Sequence, residues 1–241
     1  MKTIWWRLSL LGLAGVASLL LMPLERLVAV PIDPMLLRLI SAVQPALLTV
    51  AAAALGAWAA PKVGLDAPAV RAWAEGRPVL PVLRGRLAMA LAVGALAGVM
   101  ILGFGELLRV QGLGQQMARM EVPLVTRLLY GGVTEEVLTR WGLMSLFVWS
   151  AWRLAGRGAA VAAWCYWAGG LAAALLFAAG HLPMLSLLVA DPPGWLVAAI
   201  LVGNTVPGLL FGWLYWRRGL EAAMIAHGFA HLTAGLVLML V

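Results

Sequence analysis

Charge is sparse in this sequence: Lys and Arg contribute 17 residues and Asp and Glu 10, together 11% of the chain, against a hydrophobic fraction of 63%. That balance excludes a water-facing globular surface, which draws on about 25% charged residues. A nucleic-acid partner is excluded as well. The formal charge is +7, but the cations stand singly at the ends of apolar segments, where the positive-inside rule puts them, rather than in a stripe. Cysteine is nearly absent, so no internal disulfide forms; the single Cys165 sits in Trp164-Cys165-Tyr166-Trp167 and reads as a small hydrophobe. A leader cleavage site is missing too. Lys2 and Arg7 precede the apolar run Leu8 to Met22 in the manner of a secretory signal, yet no Ala-x-Ala follows, which favours a retained first span.

What the chain has in quantity is long apolar segments. A helix crossing the hydrocarbon core needs about 20 apolar residues at about 1.5 Å each. Runs of that kind lie at 8–30, 35–60, 86–108, 122–151, 159–189, 194–216 and 219–241. The expectation is an all-α, polytopic transmembrane bundle of about seven helices, six to eight in range. Residues 1–120 form N-terminal transmembrane helices and a polar loop, and 121–241 a second helical core. Between the second and third runs, Lys62 to Arg86 carries Pro61, Pro68, Pro78 and Pro81 at or beside its bounds and reads as a loop with a short interfacial helix. A second interfacial piece is expected from Gln111 to Glu121. With the N-terminus inside, the inner loops collect Lys2, Arg7, Lys62, Arg71, Arg77, Arg84, Arg86, Arg153, Arg157, Arg217 and Arg218. The outer side holds Arg26, Arg38, Arg109, Arg119 and Arg127.

Against this background the few ionisable residues inside apolar runs need a reason, because a charge near the bilayer centre costs at least about 2.5 to 3.5 kcal/mol. The fourth run contains Glu135-Glu136-Val137-Leu138-Thr139-Arg140. Glu136 and Arg140 are four apart and pair on one helix face, a structural role. Glu135 is turned about 100° away and is free for chemistry. The chain's only three histidines also lie in apolar runs: His181 late in the fifth, and His227 and His231, one helical turn apart, in the last. Counting about 1.5 Å per residue from the segment ends puts Glu135, His181 and His227 about 18, 15 and 16 Å below the outer face. The three depths converge.

These residues resemble the motifs of the CPBP family of intramembrane proteases (CAAX protease and bacteriocin-processing enzymes, also called Abi). The family is marked by Glu-Glu-x-x-x-Arg, Phe-x-x-x-His and His-x-x-x-Asn or Asp, each on a membrane helix. Here they are Glu135, Glu136 and Arg140, then Phe177 and His181, then His227 and His231. The stretch from Gly208 to Leu220 leading into His227 is also similar to the family's last two core helices. His231 is a departure, standing where Asn or Asp is usual. The resemblance covers about residues 120–241. It implies an intramembrane endopeptidase, with Glu135, His181, His227 and His231 catalytic and Glu136, Arg140 and Phe177 in support.

Two uses of the histidines stay open. With Glu135 as the base, His181, His227 and His231 either ligate a divalent metal, zinc first among them, or orient and donate to the reacting groups directly. Other hydrolase designs are missing: no His-Glu-x-x-His, no Gly-x-Ser-Gly, and Asp33, Asp66 and Asp191 all lie near Pro or Gly outside the apolar runs. The alternative class is a membrane protein without catalysis, an immunity protein, scaffold or proton-coupled carrier with a buried Glu/His network. Membrane lipid and a peptide or membrane-protein substrate are the expected partners. The expected location is the cytoplasmic membrane if the source is bacterial.

Overall fold

The structure is a computed structural model that describes residues 2–27, 30–118 and 122–240. Every regular element among them is helical. Lipid offers no hydrogen bonds to the backbone, so a chain this apolar satisfies its amides within each helix. Helix α1 (Lys2–Ala17) continues as one tighter turn, Ser18–Leu21, and stops at Met22 in extended conformation, φ −72° and ψ 131°. Pro23 forces that, because its ring disfavours a helical residue before it. The first span therefore ends short of residue 30, and residues 28 and 29 of the expected run lie outside the described chain.

Helix α2 (Pro34–Ala59) opens with Asp33, whose carboxylate accepts from the Leu36 amide at 3.0 Å. The polar stretch after it contains the expected short helix, α3 (Pro68–Ala74). Helix α4 (Leu80–Val110) starts ahead of the expected residue 86 and precedes the small α5 (Gly114–Ala118). Arg119 and Glu121, the end of the expected interfacial piece, lie outside the described residues.

The fourth column runs through α6 (Leu124–Thr126), two π-helical stretches (Arg127–Glu135 and Val137–Met144) and α7 (Ser145–Leu154). Next come α8 (Ala163–Ala179) and α9 (Leu182–Leu188), where one segment over 159–189 was expected. Pro183, in the first turn of α9, explains the break: it has no N–H for the carbonyl of Ala179, and its ring would strike that carbonyl. The chain ends with α10 (Gly194–Arg218) and α11 (Leu220–Leu240). Six helical stretches are long and apolar enough to cross a membrane, Thr3–Leu21, Pro34–Val63, Leu80–Val110, Ala163–Leu188, Gly194–Arg218 and Leu220–Val237. With the column bearing Glu135, Glu136 and Arg140 they make seven. The chain is an integral membrane protein of helical-bundle architecture.

Helix–helix contact in lipid depends on close approach, and small residues supply it. Ala90, Gly94, Ala97 and Gly98 of α4 face α11. A β-carbon on Gly94 would lie 2.6 Å from the carbonyl oxygen of Ala226, and one on Gly98 would lie 2.8 Å from Thr233 Cβ. The neighbours are backbone and a branched side chain, which cannot swing away. Gly94→Leu should therefore push α11 outward and destabilise the bundle by about 1–3 kcal/mol. A lower melting temperature in detergent checks it, with Gly103→Leu as control, because nothing lies within 4 Å of a β-carbon there.

On the opposite side, α1 and α2 hold the motif column. Thr134 donates to the Gly12 carbonyl (2.7 Å), Thr126 to that of Ser18 (2.9 Å), and Trp141 Nε1 to that of Ala53 (3.0 Å). The alternating helices gather the Lys and Arg of the expected inner loops at one end of the bundle, where Arg86 Nε donates to the Arg218 carbonyl at 2.7 Å.

Candidate active site

The site forms where the motif column meets α10 and α11. Gly131 and Gly132 admit α11. A β-carbon on Gly131 would come 2.9 Å from His231 Nε2, and one on Gly132 would come 3.0 Å from Gly228 Cα. The backbone here is π-helical, a wide turn frequent at functional sites.

Glu136 is fully buried, and its Oε1 lies 3.3 Å from Arg140 Nη1. The pair expected from the four-residue spacing is present. Arg140 also donates to Thr139 Oγ1 on its own column and, through Nη2 at 2.9 Å, to the Gly208 carbonyl of α10. Its guanidinium lies 5.7 Å from the Phe177 ring and 5.6 Å from the Phe211 ring. The charge thus has an acidic partner, two oxygen acceptors and two aromatic faces, as a cation in low dielectric needs.

Glu136 does more than pair with Arg140. The same Oε1 accepts from His227 Nδ1 at 2.8 Å, across 91 residues of sequence. A carboxylate can only accept, so Nδ1 carries the proton, and in the neutral ring Nε2 presents its lone pair. That nitrogen faces Glu135, with Oε2 at 3.9 Å, beyond direct hydrogen bonding. The two glutamates, expected to face different ways, address opposite edges of one imidazole. Two carboxylates turned apart on one column can do so because a histidine has a polar atom on each side. Glu135 keeps 18% of its side-chain surface exposed and Glu136 none, so Glu135 is the reachable carboxylate.

Ring packing fixes His227 further. Phe211 stacks on one side, centroids 4.7 Å apart, and His231 packs against the ring at 5.0 Å. The i,i+4 spacing foretold the His231 contact. Phe211 was visible only as part of the apolar stretch after Gly208, and Gly131, Gly132 and Thr139 carried no chemical signal of their own.

His181 stands apart. It is half-buried at the α8/α9 break, its Nδ1 bonded to the Phe177 carbonyl at 2.9 Å and its ring edge-on to Phe177 at 4.6 Å. Among the described residues no hydrogen bond or ion pair joins it to Glu135 or His227, although it lies near enough to act on Glu135 through space. The structure therefore brings Glu135, Glu136, Arg140, His227 and His231 together, with Phe177 beside Arg140 and His181 at the margin. Among the described residues no three His, Cys, Asp or Glu side chains are grouped as a cation-binding set in this arrangement.

Residues 120–233 match the family model described as type II CAAX prenyl endopeptidase Rce1-like, consistent with the CPBP family. All the motif residues from Glu135 to His231 fall within that match. No curated protein and no solved structure matches the chain.

Proposed function

From the Rce1-like match, whose family is one of intramembrane proteases, we propose that this chain is an endopeptidase cutting a peptide bond of a membrane-associated protein or peptide by a water that Glu135 activates. The observation that supports this most is the position of the His227 ring, its Nδ1–H held by Glu136 and its Nε2 facing the reachable Glu135 carboxylate. A gap of 3.9 Å between Oε2 and Nε2 suits one water bonded to both. Glu135 accepts a proton from that water as its oxygen attacks the scissile carbonyl carbon, then returns the proton to the departing amine. The negative oxygen of the tetrahedral intermediate takes an N–H from His231, whose position is that of the family's usual Asn, while His181, its Nδ1–H held by the Phe177 carbonyl, has the Nε2 lone pair to accept from water. The compartment we assign is the cytoplasmic membrane if the source is bacterial.

The test is cleavage of a membrane-anchored peptide by the purified chain in lipid nanodiscs, read by mass spectrometry, with prenylated and unprenylated substrates compared. Cutting is expected in the wild type and lost in His227→Ala. His231→Asn should retain the rate within about tenfold, since the Asn amide also supplies an N–H donor, and a chelator should leave it unchanged. A wild type that cuts none of these peptides while moving protons in sealed vesicles would replace the protease reading with a carrier. Loss of cutting on chelation, restored by zinc, would bring the metal back.

A further inference from the structure

A basic, open cavity lies remote from this chemistry. Where α2 and α7 end, about 340 Å³ is lined by Lys62, Trp149, Trp152, Arg153 and Arg157. Its lining consists of cations and indoles alone. Four cations elsewhere on the surface have acidic partners: Arg38 with Glu25, Arg71 with Asp66, Arg77 with Glu75 and Arg109 with Glu106. Among the described residues Lys62, Arg153 and Arg157 have none.

Indoles position these cations. Lys62 Nζ sits 3.4 Å from the Trp58 ring centroid and 5.9 Å from that of Trp149, and the Arg153 guanidinium is 5.4 Å from Trp149. Trp58 and Trp149 meet edge to face at 4.6 Å. The loop bearing Arg157 is also shaped. Arg157 has φ 56°, the left-handed region that side chains disfavour, next to Gly156 at φ 86°. Its amide bonds to the Trp152 carbonyl at 3.1 Å, while Trp152 Nε1 donates to the Gly158 carbonyl at 3.2 Å.

We propose that this cavity binds the phosphate headgroup of an anionic membrane phospholipid. Its place at the end of the spans that collects the Lys and Arg puts it at headgroup level on the cytoplasmic side by the charge rule. Tryptophan sits preferentially at that depth, and basic pockets there take anionic headgroups. Guanidinium forks match phosphate oxygens, and the indole faces leave room for the glycerol and upper acyl chain. The proposal is independent of the protease reading, since none of its residues belongs to the Glu/His site.

Delipidated full-length chain in detergent is titrated with phosphatidylglycerol, phosphatidylcholine or inorganic phosphate, with adducts counted by native mass spectrometry and the melting temperature followed. Phosphatidylglycerol should bind at least about tenfold tighter than phosphatidylcholine, and Lys62→Gln/Arg153→Gln/Arg157→Gln should erase that preference. Arg84→Gln/Arg217→Gln/Arg218→Gln, which removes as much charge at the same end, should keep it. Arg157→Gln alone, at an exposed position, should weaken binding several-fold and serves if the triple variant does not fold. Equal loss in both triple variants would overturn the proposal in favour of general surface charge. Inorganic phosphate raising the melting temperature as far as the lipid would overturn it in favour of a soluble anion, and a wild type without headgroup preference would end it.

Discussion

Glu135→Gln will lower the rate of peptide cleavage by about 10² to 10⁴-fold, the range for loss of a positioned general base. That corresponds to about 2.7–5.5 kcal/mol of barrier. The amide keeps the size and one oxygen of the carboxylate, so a water can still bind, but it cannot accept the proton that must leave as the hydroxyl attacks. Stability should hardly change, because Glu135 makes no close ion pair and its nearest charged contact is His227 at 3.9 Å. The variant should melt within a few degrees of the wild type while cutting nothing measurable. This separation of activity from stability marks a residue that acts on substrate. If the purified variant cuts at the wild-type rate, the base lies elsewhere. If it loses activity and fold together, Glu135 is part of the scaffold.

The sequence made the bundle readable because lipid imposes one rule on every span, and the apolar runs gave each helix within a few residues. One boundary went astray at a proline whose local effect is elementary: Pro23 ends the first span at Leu21. Pro183 breaks the helix inside the fifth, which still runs from Ala163 to Leu188 as one span. The site was legible where its residues are neighbours on one helix. Glu136 with Arg140, and His227 with His231, follow directly from i,i+4 geometry. Depth counting brought Glu135 to the level of His227 but could not give the contact between Glu136 and His227, which spans 91 residues. Nor could a count based on 3.6 residues per turn foresee the π-helical stretches in this column. For His181 the depth is compatible, while the bond of its Nδ1 to the Phe177 carbonyl is a detail that depth counting does not carry.

Arg140→Met should be the most destabilising change in the site. Arg140 is 2% exposed, and its removal leaves Glu136, fully buried, with only the His227 Nδ1–H to answer its charge. Breaking one side of a buried ion pair costs about 3–5 kcal/mol, far more than the loss of a surface pair. Arg140→Lys should recover only part of this, since a single ammonium cannot reach Glu136, Thr139 and the Gly208 carbonyl together as the guanidinium does. The informative variant is Glu136→Gln/Arg140→Met, which removes both charges at once. Its melting temperature should return most of the way to that of the wild type, because no unpaired charge remains buried. Its cleavage rate should stay low. The Gln oxygen still accepts from Nδ1 and holds the ring, but a neutral amide polarises the imidazole less than a carboxylate does, so Nε2 is a weaker acceptor for the attacking water. Recovery of both stability and rate would make Glu136 and Arg140 scaffold alone. Recovery of stability without rate would tie the pair to catalysis through His227.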